Sequence, residues 1–335
     1  MNPSPAASLP RRLLSLTLRL CLAGACLIYA LWDLDLQRAA ETLAAFRGLP
    51  LFLSLLLGLY LSLIQGVRFR AITGPRATLT QATLACVLGN GLNNIFPARL
   101  GELGKALYLK RHTSIPMRES LGFIFWERFA DLNMILALAA LASLVSGKRF
   151  VWLPLALTLA GIWLSVAAVL LLPAARGLLP RLVPFPSLRR VCADMLDHFV
   201  KISTPRFLLL LVLLSALTWV SFTATFIFNT NTVMGLNAGL DALLVIYAAT
   251  SLSFLIPSSP GGLGLFEAAM VFSFAWFGLG REQALVAALL LRLTQNMPTV
   301  IVTVLLLGKE HLGPRALKEA FQAFRSAPDS ENPAN

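Results

Sequence analysis

The chain has 335 residues, of which 57% are hydrophobic and only 13% are charged, and its mean hydropathy is +0.75. Soluble domains of this length do not have such a composition, whereas helical proteins that cross a membrane several times do. The formal net charge of +12 would suit a nucleic-acid-binding protein, but the positions of the basic residues argue against that class.

Apolar stretches of about 20 residues, the length that crosses a hydrocarbon core, recur along the chain. The first follows Arg11 and Arg12 and is longer than the apolar region of a typical signal peptide, so we interpret it as a signal anchor. The sequence therefore predicts an all-α polytopic membrane protein with about six full spans. These spans lie near residues 13–32, 50–67, 119–145, 151–173, 207–229 and 283–307.

Two further apolar stretches, at residues 79–98 and 240–279, are interrupted by Gly, Pro and Asn. We predict that both are re-entrant and enter the membrane from opposite faces. If they were full spans, the basic segment 176–206 would lie outside the cell, against the positive-inside rule. Interrupted segments in corresponding positions of two halves are typical of transporters with a binding site near the midplane. An inverted repeat is therefore our hypothesis.

The basic residues are distributed unevenly between the two sides of this topology. With the N-terminus inside, most of the 28 Lys and Arg residues lie in cytoplasmic segments. This is the positive-inside distribution, so the positive charge indicates orientation in the cytoplasmic (inner) membrane, with both termini cytoplasmic. We expect membrane lipids as partners and no nucleic acid.

Segments outside the spans carry weaker signals. Residues 186–203 place apolar side chains on one helical face, which predicts either an amphipathic helix on the inner leaflet or a plain cytoplasmic connector. Residues 1–312 are predicted to form the membrane domain, and residues 313–335 a disordered cytoplasmic tail. The four cysteines and three histidines have no ligand spacing, so we expect no metal and no cofactor.

The first break contains charged residues at a depth where a charge costs roughly 2.5–3.5 kcal/mol and usually serves a function. Pro97 and Gly101 are predicted to break the helix, and the N–H groups of the next helix, together with Arg99, would form an anion site. Glu102 would cap that helix or pair with Arg99. The alternative is that Arg99 and Lys105 simply begin the basic cytoplasmic loop.

The second break is richer in helix-breaking residues. These are Pro257, Pro260 and Gly264. Ser259 offers a hydroxyl, while Gly261 and Gly262 permit close approach of a ligand or another backbone. Glu267 then lies in the first turn of the following helix. The alternative is a tight hairpin outside the membrane with a helix-capping Glu.

Two predicted spans also contain charges. Glu127 and Asp131 share a helical face, and Arg128 can pair with Asp131 at i, i+3. One acid is left unmatched, and Arg292 in the last span is an unmatched base. We expect Arg292 to pair with Glu127 or Glu267 across the bundle. A purely structural ion network is the alternative.

These motifs resemble the lysylphosphatidylglycerol synthase transmembrane-domain family of flippase-like membrane domains. The resemblance rests on Asn-Asn-x-Phe-Pro-x-Arg-x-Gly-Glu (93–102) with Lys105, Glu-Arg-x-x-Asp (127–131), Pro-Gly-Gly-x-Gly-x-x-Glu (260–267) and Arg292. It implies two re-entrant elements and a role in moving lipids between leaflets. The best-known members translocate aminoacylated phosphatidylglycerol made by a fused synthase. We expect no synthase domain in this chain, so a substrate other than the lysyl lipid is open: another anionic lipid, a glycolipid or an isoprenoid lipid.

We therefore expect a lipid translocator that is not an enzyme. The predicted headgroup-binding residues are Arg99, Lys105, Arg128, Arg292, Ser259, Gly261 and Gly262. The predicted charge-balancing or proton-relay residues are Glu102, Glu127, Asp131 and Glu267. Two alternatives stay open: a scaffold for a separate synthase or glycosyltransferase, and a membrane enzyme with Glu127 or Glu267 as general base.

Overall fold

The structure, a computed structural model, describes residues 9–46, 48–96, 100–147, 149–174, 177–178, 200–201, 203–255 and 260–310. Every regular element in these ranges is helical. The predicted segments 186–203 and 313–335 lie wholly or largely outside the described residues, as do the predicted site residues Pro97, Arg99, Pro257 and Ser259.

Twelve main helices are described. They are α1 (Leu9–Leu31), α2 (Leu36–Ala44), α3 (Gly48–Thr73), α4 (Leu79–Ile95), α5 (Leu100–His112), α6 (Met117–Val145), α7 (Arg149–Leu171), α8 (Pro205–Ile227), α9 (Leu240–Leu252), α10 (Leu265–Trp276), α11 (Arg281–Leu291) and α12 (Met297–Glu310). A π-helical turn, Phe228–Val233, continues α8, and a second one, Arg292–Asn296, joins α11 to α12.

Five helical segments in the described part of the chain are long and apolar enough to cross a membrane. They are Gly48–Arg76, Glu119–Val145, Leu153–Leu171, Pro205–Val233 and Arg281–Lys309. The all-α polytopic prediction is therefore confirmed, and these segments correspond to its last five spans. The first predicted span lies on α1, whose apolar part Cys21–Leu31 is shorter, so a crossing there stays a prediction.

The stretch 79–98 contains only α4, and its packing partner α5 lies beyond the predicted boundary. The stretch 240–279 forms two helices that pack against each other, α9 and α10. That both stretches re-enter the membrane stays a prediction. In the first pair Gly101 is the second residue of α5, so it lies inside a helix and not at its break. A Cβ atom at Gly101 would overlap the carbonyl oxygen of Gly89 on α4, so the missing side chain lets the two backbones approach closely. In the second pair, Gly261 and Gly264 have φ of +58° and +86°, which L side chains rarely adopt.

The two halves of the predicted repeat, α3 to α7 and α8 to α12, can be compared through their helix contacts. α3 packs against α8, the span that begins the second half. α4 packs against α12, while its counterpart α9 packs against α6. α5 packs against α6, as α10 packs against α11. The inverted repeat itself stays a prediction.

Each half also has its own apolar core. One buried cluster combines side chains of α3, α4, α5 and α6, among them Phe69, Leu88 and Trp126. The other combines α8, α9, α10 and α11, among them Phe226 and Phe274.

Candidate functional site

A cavity of about 660 Å³ lies between the two halves, which is within the range of roughly 300–1,000 Å³ typical of small-molecule sites. Its walls come from α3, α4, α5, α6, α8 and α9, from the turn Pro260–Gly262 and from the π-helical turn Arg292–Asn296. Both interrupted stretches therefore reach the same cavity. The charged residues on its walls are Arg68, Glu102, Arg128 and Asp131.

One side of the cavity rests on a buried ion network. Arg68 on α3 donates from Nη1 to Oδ1 of Asp131 at 2.6 Å and from Nη2 to Oε1 of Glu127 at 3.3 Å. Lys105 on α5 donates from Nζ to Oε2 of Glu127 at 2.6 Å. Arg68, Lys105 and Glu127 are each at most 2% exposed. Charges removed from water in this way are tolerated only when they are paired, so the network fixes α3, α5 and α6 relative to one another.

Neighbouring side chains complete the network. Nε1 of Trp219 on α8 donates to Oδ1 of Asp131 at 3.1 Å, which ties the second half to the first. The Nζ atom of Lys105 also lies 3.2 Å from Sγ of Cys86 and 3.5 Å from the ring centroid of Phe69. Lys105 is thus enclosed by its partners and does not line the large cavity, so the predicted contact with a headgroup stays a prediction.

Arg128 has a different environment. Its side chain is 43% exposed and lines the cavity, and its predicted contact with a headgroup stays a prediction. Nη1 lies 3.3 Å from Oδ2 of Asp131, and the Asp131 pairing predicted at i, i+3 is therefore present. Its separations from Glu102 (Nε to Oε1) and Glu127 (Nη2 to Oε2) are both 3.8 Å, beyond hydrogen-bond range.

Arg292 pairs with Glu267, one of the two partners that the sequence left open. Its Nε atom donates to Oε1 of Glu267 at 2.6 Å, and Nη1 donates to the carbonyl oxygen of Gly261 at 3.1 Å. The other carboxylate oxygen of Glu267 accepts the N–H of Gly264 at 2.8 Å. Glu267 therefore caps α10 and holds Arg292 at the same time.

The two Glu–Arg pairs occupy equivalent positions in the two halves. Glu102 is the third residue of α5, and Glu267 is the third residue of α10. Each faces an arginine on the span that follows, Arg128 on α6 and Arg292 directly after α11. The two pairs differ in the distance between Nε and Oε1, which is 3.8 Å in the first and 2.6 Å in the second.

The helix N-termini at the breaks are less open than the sequence suggested. The N–H of Gly101 donates to Oδ1 of Asn93 at 2.8 Å, and Nδ2 of Asn93 donates to Oε1 of Glu102 at 3.4 Å. At α10 the carboxylate of Glu267 holds the N–H of Gly264. Both first turns thus satisfy a backbone donor with a side chain of the chain itself, as helix ends without a ligand require.

Several site residues were missed by the sequence analysis. Arg68 was counted with the basic loop after a span ending at residue 67, whereas α3 continues to Thr73 and buries it. The sequence did indicate that the helix continues through Arg68, because Gln65 and Arg68 lie at i, i+3 and share the helical face of Leu61. The amides were also missed as a group. Those on the cavity walls are Gln65, Asn90, Asn93, Asn94, Gln295 and Asn296.

The fold and the site define a multi-pass helical membrane protein with a polar cavity between two helical hairpins. The chain belongs to the family described as the lysylphosphatidylglycerol synthase TM region, whose sequence profile matches residues 16–303. It is also similar to the UPF0104 membrane protein MJ1078 of Methanocaldococcus jannaschii. The identity is 26% over 220 residues, which are 63% of this chain and 90% of the relative. The resemblance that the motifs indicated is therefore confirmed.

Proposed function

We propose that the protein is a lipid translocator that moves a phosphate-bearing lipid between the leaflets of the cytoplasmic membrane, with both termini cytoplasmic. The observation that carries this proposal is the cavity whose walls come from both halves and hold charged side chains. Charges inside a membrane protein are costly and commonly mark a substrate pathway. Membership of a family named for a lipid synthase's membrane region supports a lipid as the substrate.

Arg128 is the residue that we expect to hold the headgroup. Its guanidinium is exposed to the cavity and is only loosely held by Glu102, so a phosphate can replace that carboxylate without breaking a short hydrogen bond. A planar guanidinium binds phosphate oxygens in a bidentate manner. Arg68 holds Asp131 in place, and Asp131 in turn orients Arg128 while the phosphate replaces Glu102.

The unequal Glu–Arg pairs suggest how access changes sides. In a protein built from two repeats, alternating access consists of one half moving against the other around a fixed site. In that scheme the short Arg292–Glu267 pair lengthens and the long Arg128–Glu102 pair shortens when the cavity opens to the other leaflet.

We propose a transporter and not an enzyme because the two candidate general bases are held by cations. Glu127 lies between Arg68 and Lys105, and Glu267 is bound to Arg292. A general base must be free to reach a substrate proton, and both carboxylates already accept short hydrogen bonds from cations of the chain itself.

The test is translocation of fluorescent phosphatidylglycerol in vesicles that contain the purified protein. Arg128→Gln should lower the rate about 10- to 150-fold, the equivalent of one lost hydrogen bond to a charged group. Arg76→Ala removes an exposed cation paired only with Glu119 among the described acids and should leave the rate unchanged. A wild-type rate no higher than that of empty vesicles, or an Arg128→Gln rate equal to wild type, would contradict the proposal.

A further inference from the structure

Amide side chains dominate the uncharged polar surface of the cavity. They come from three elements, α3 (Gln65), α4 (Asn90, Asn93 and Asn94) and the π-helical turn (Gln295 and Asn296). An amide offers both donors and acceptors, and a hydroxyl likewise donates one hydrogen bond and accepts others. A wall of amides is therefore complementary to a ligand that carries several hydroxyl groups.

Many of these amide atoms are not used by the protein itself. Among the described residues, no hydrogen bond reaches Oδ1 of Asn90 or Oδ1 of Asn94, whose Nδ2 atoms are held by Gln65 and by the backbone of Asn90. Nε2 of Gln295 is buried and has no partner in the described part of the chain. A buried donor without a partner costs about 1–3 kcal/mol, so a ligand that bonds to it restores that loss.

Aromatic rings cover other parts of the same cavity. They belong to Phe96, Trp219, Phe222, Tyr247 and Phe254. The Trp219 ring is held in place by its hydrogen bond to Asp131. A sugar or cyclic polyol has C–H faces that pack on such rings, while its hydroxyls point towards the amides. The lining thus matches both surfaces of a polyhydroxylated ring.

The bases and acids of the site are equal in number, so no acid is left over to bind a cationic headgroup. Within the described residues the bases Arg68, Lys105, Arg128 and Arg292 are matched by as many acids: Glu102, Glu127, Asp131 and Glu267. Oε2 of Glu102 has no hydrogen-bond partner there and can accept a hydroxyl. An aminoacyl headgroup would need a further acid, whereas Arg128 can take one phosphate.

We propose that the lipid carries a sugar or polyol joined through a phosphate, with no cationic amine. The phosphate binds Arg128, and the hydroxyls bind Asn90, Asn94 and Gln295. That the ligand is a lipid rests on the proposed function. The cavity alone would also accept the water-soluble headgroup.

Calorimetric titration of the detergent-solubilised protein tests the proposal with four short-chain lipids of the same acyl length. They are dioctanoyl phosphatidylinositol, phosphatidylglycerol, phosphatidic acid and phosphatidylethanolamine. We expect phosphatidylinositol to bind at least about tenfold more tightly than phosphatidic acid or phosphatidylethanolamine, since each added hydrogen bond contributes about 2- to 10-fold. Equal affinity for phosphatidic acid, or tighter binding of phosphatidylethanolamine, would overturn the proposal. Inositol phosphate alone shows whether the lipid part contributes.

Two kinds of variant separate the hydroxyl contacts from the phosphate contact. Asn94→Leu should remove most of the preference for phosphatidylinositol while leaving the affinity for phosphatidic acid unchanged. Asn90→Leu is a second variant of the same kind in case Asn94→Leu does not fold. Arg128→Gln should weaken all the phosphate lipids alike. Unchanged preference in both amide variants would contradict the assignment.

Failure of this proposal and failure of the proposed function give different results. If phosphatidylinositol binds selectively but no labelled lipid crosses the vesicle membrane, the proposed substrate class is supported and the proposed translocation is contradicted. If phosphatidylethanolamine crosses as fast as phosphatidylinositol, translocation stands and the substrate class falls.

Discussion

Nε of Arg128 lies 3.8 Å from Oε1 of Glu102, a separation that permits an ion pair but not a hydrogen bond. The equivalent atoms of Arg292 and Glu267 are 2.6 Å apart. The first pair is exposed to the cavity and the second is mostly enclosed, with side-chain exposures of 43% for Arg128 and 20% for Arg292. One of two matching pairs is therefore available to a ligand while the other fastens a helix hairpin to the last span.

Double-mutant cycles should show this difference as unequal coupling energies. For Glu267→Gln with Arg292→Gln we expect a coupling of about 0.5–3 kcal/mol in the free energy of unfolding, because the two side chains are in direct contact. For Glu102→Gln with Arg128→Gln we expect about 0–1 kcal/mol, as for exposed ion pairs. The measurement is unfolding in a denaturing detergent. Coupling at Glu102–Arg128 equal to or above that at Glu267–Arg292 would contradict the geometry.

Replacing Arg68 should destabilise the protein strongly. Arg68→Met removes the cation shared by Glu127 and Asp131, and breaking a buried ion pair from one side costs about 3–5 kcal/mol. Thermal unfolding in detergent measures the loss. The matched control is Arg76→Ala, whose pair with Glu119 is partly exposed and should contribute about 0–1 kcal/mol. Equal effects of the two substitutions would show that the buried network does not stabilise the fold.

Gly101→Ala should destabilise the first hairpin. The added methyl would overlap the carbonyl oxygen of Gly89 and the side chain of Asn93, so α4 and α5 must move apart. Overpacking of this kind costs about 1–3 kcal/mol in the free energy of unfolding. Gly161→Ala on α7 is the control, since its Cβ meets nothing within 4 Å, and it should be neutral or slightly stabilising. A neutral Gly101→Ala would mean that the hairpin is not closely packed there.

Gly261→Ala tests the second break. Its φ of +58° makes any L side chain unfavourable by roughly 1–2 kcal/mol, and the new Cβ would also lie 2.8 Å from Oδ1 of Asn94. Gly235→Ala, with φ of +71° and no atom within 4 Å, has the backbone cost alone. We expect Gly261→Ala to be the more destabilising in thermal unfolding and to weaken phosphatidylinositol binding as well. Equal destabilisation and equal phosphatidylinositol binding in the two variants would show that Asn94 does not contact this turn.

Most of the architecture could be predicted from the sequence because apolar length and helix breakers are local properties. The last five spans follow from them, and so does the Arg128–Asp131 pair, which is set by helical spacing. The second hairpin was bounded correctly, whereas the second helix of the first hairpin, α5, lies beyond the predicted stretch 79–98. Arg68 could not be placed in this way, because its position after an apolar run resembles that of a residue at the membrane surface. Its burial depends on Glu127 and Asp131, which come about sixty residues later on another helix. The partner of Arg292 was open for the same reason.

The π-helical turn at Arg292–Asn296 places the two parts of the last span out of phase. In an α-helix each residue advances by about 100°, and a π-turn takes one residue more than an α-turn. Leu290 before the turn is buried in the core of the second half, while Thr303 after it donates to the carbonyl oxygen of Val87 on α4 at 3.0 Å. One continuous span thus contributes to the core of the second half and bonds to α4 of the first half.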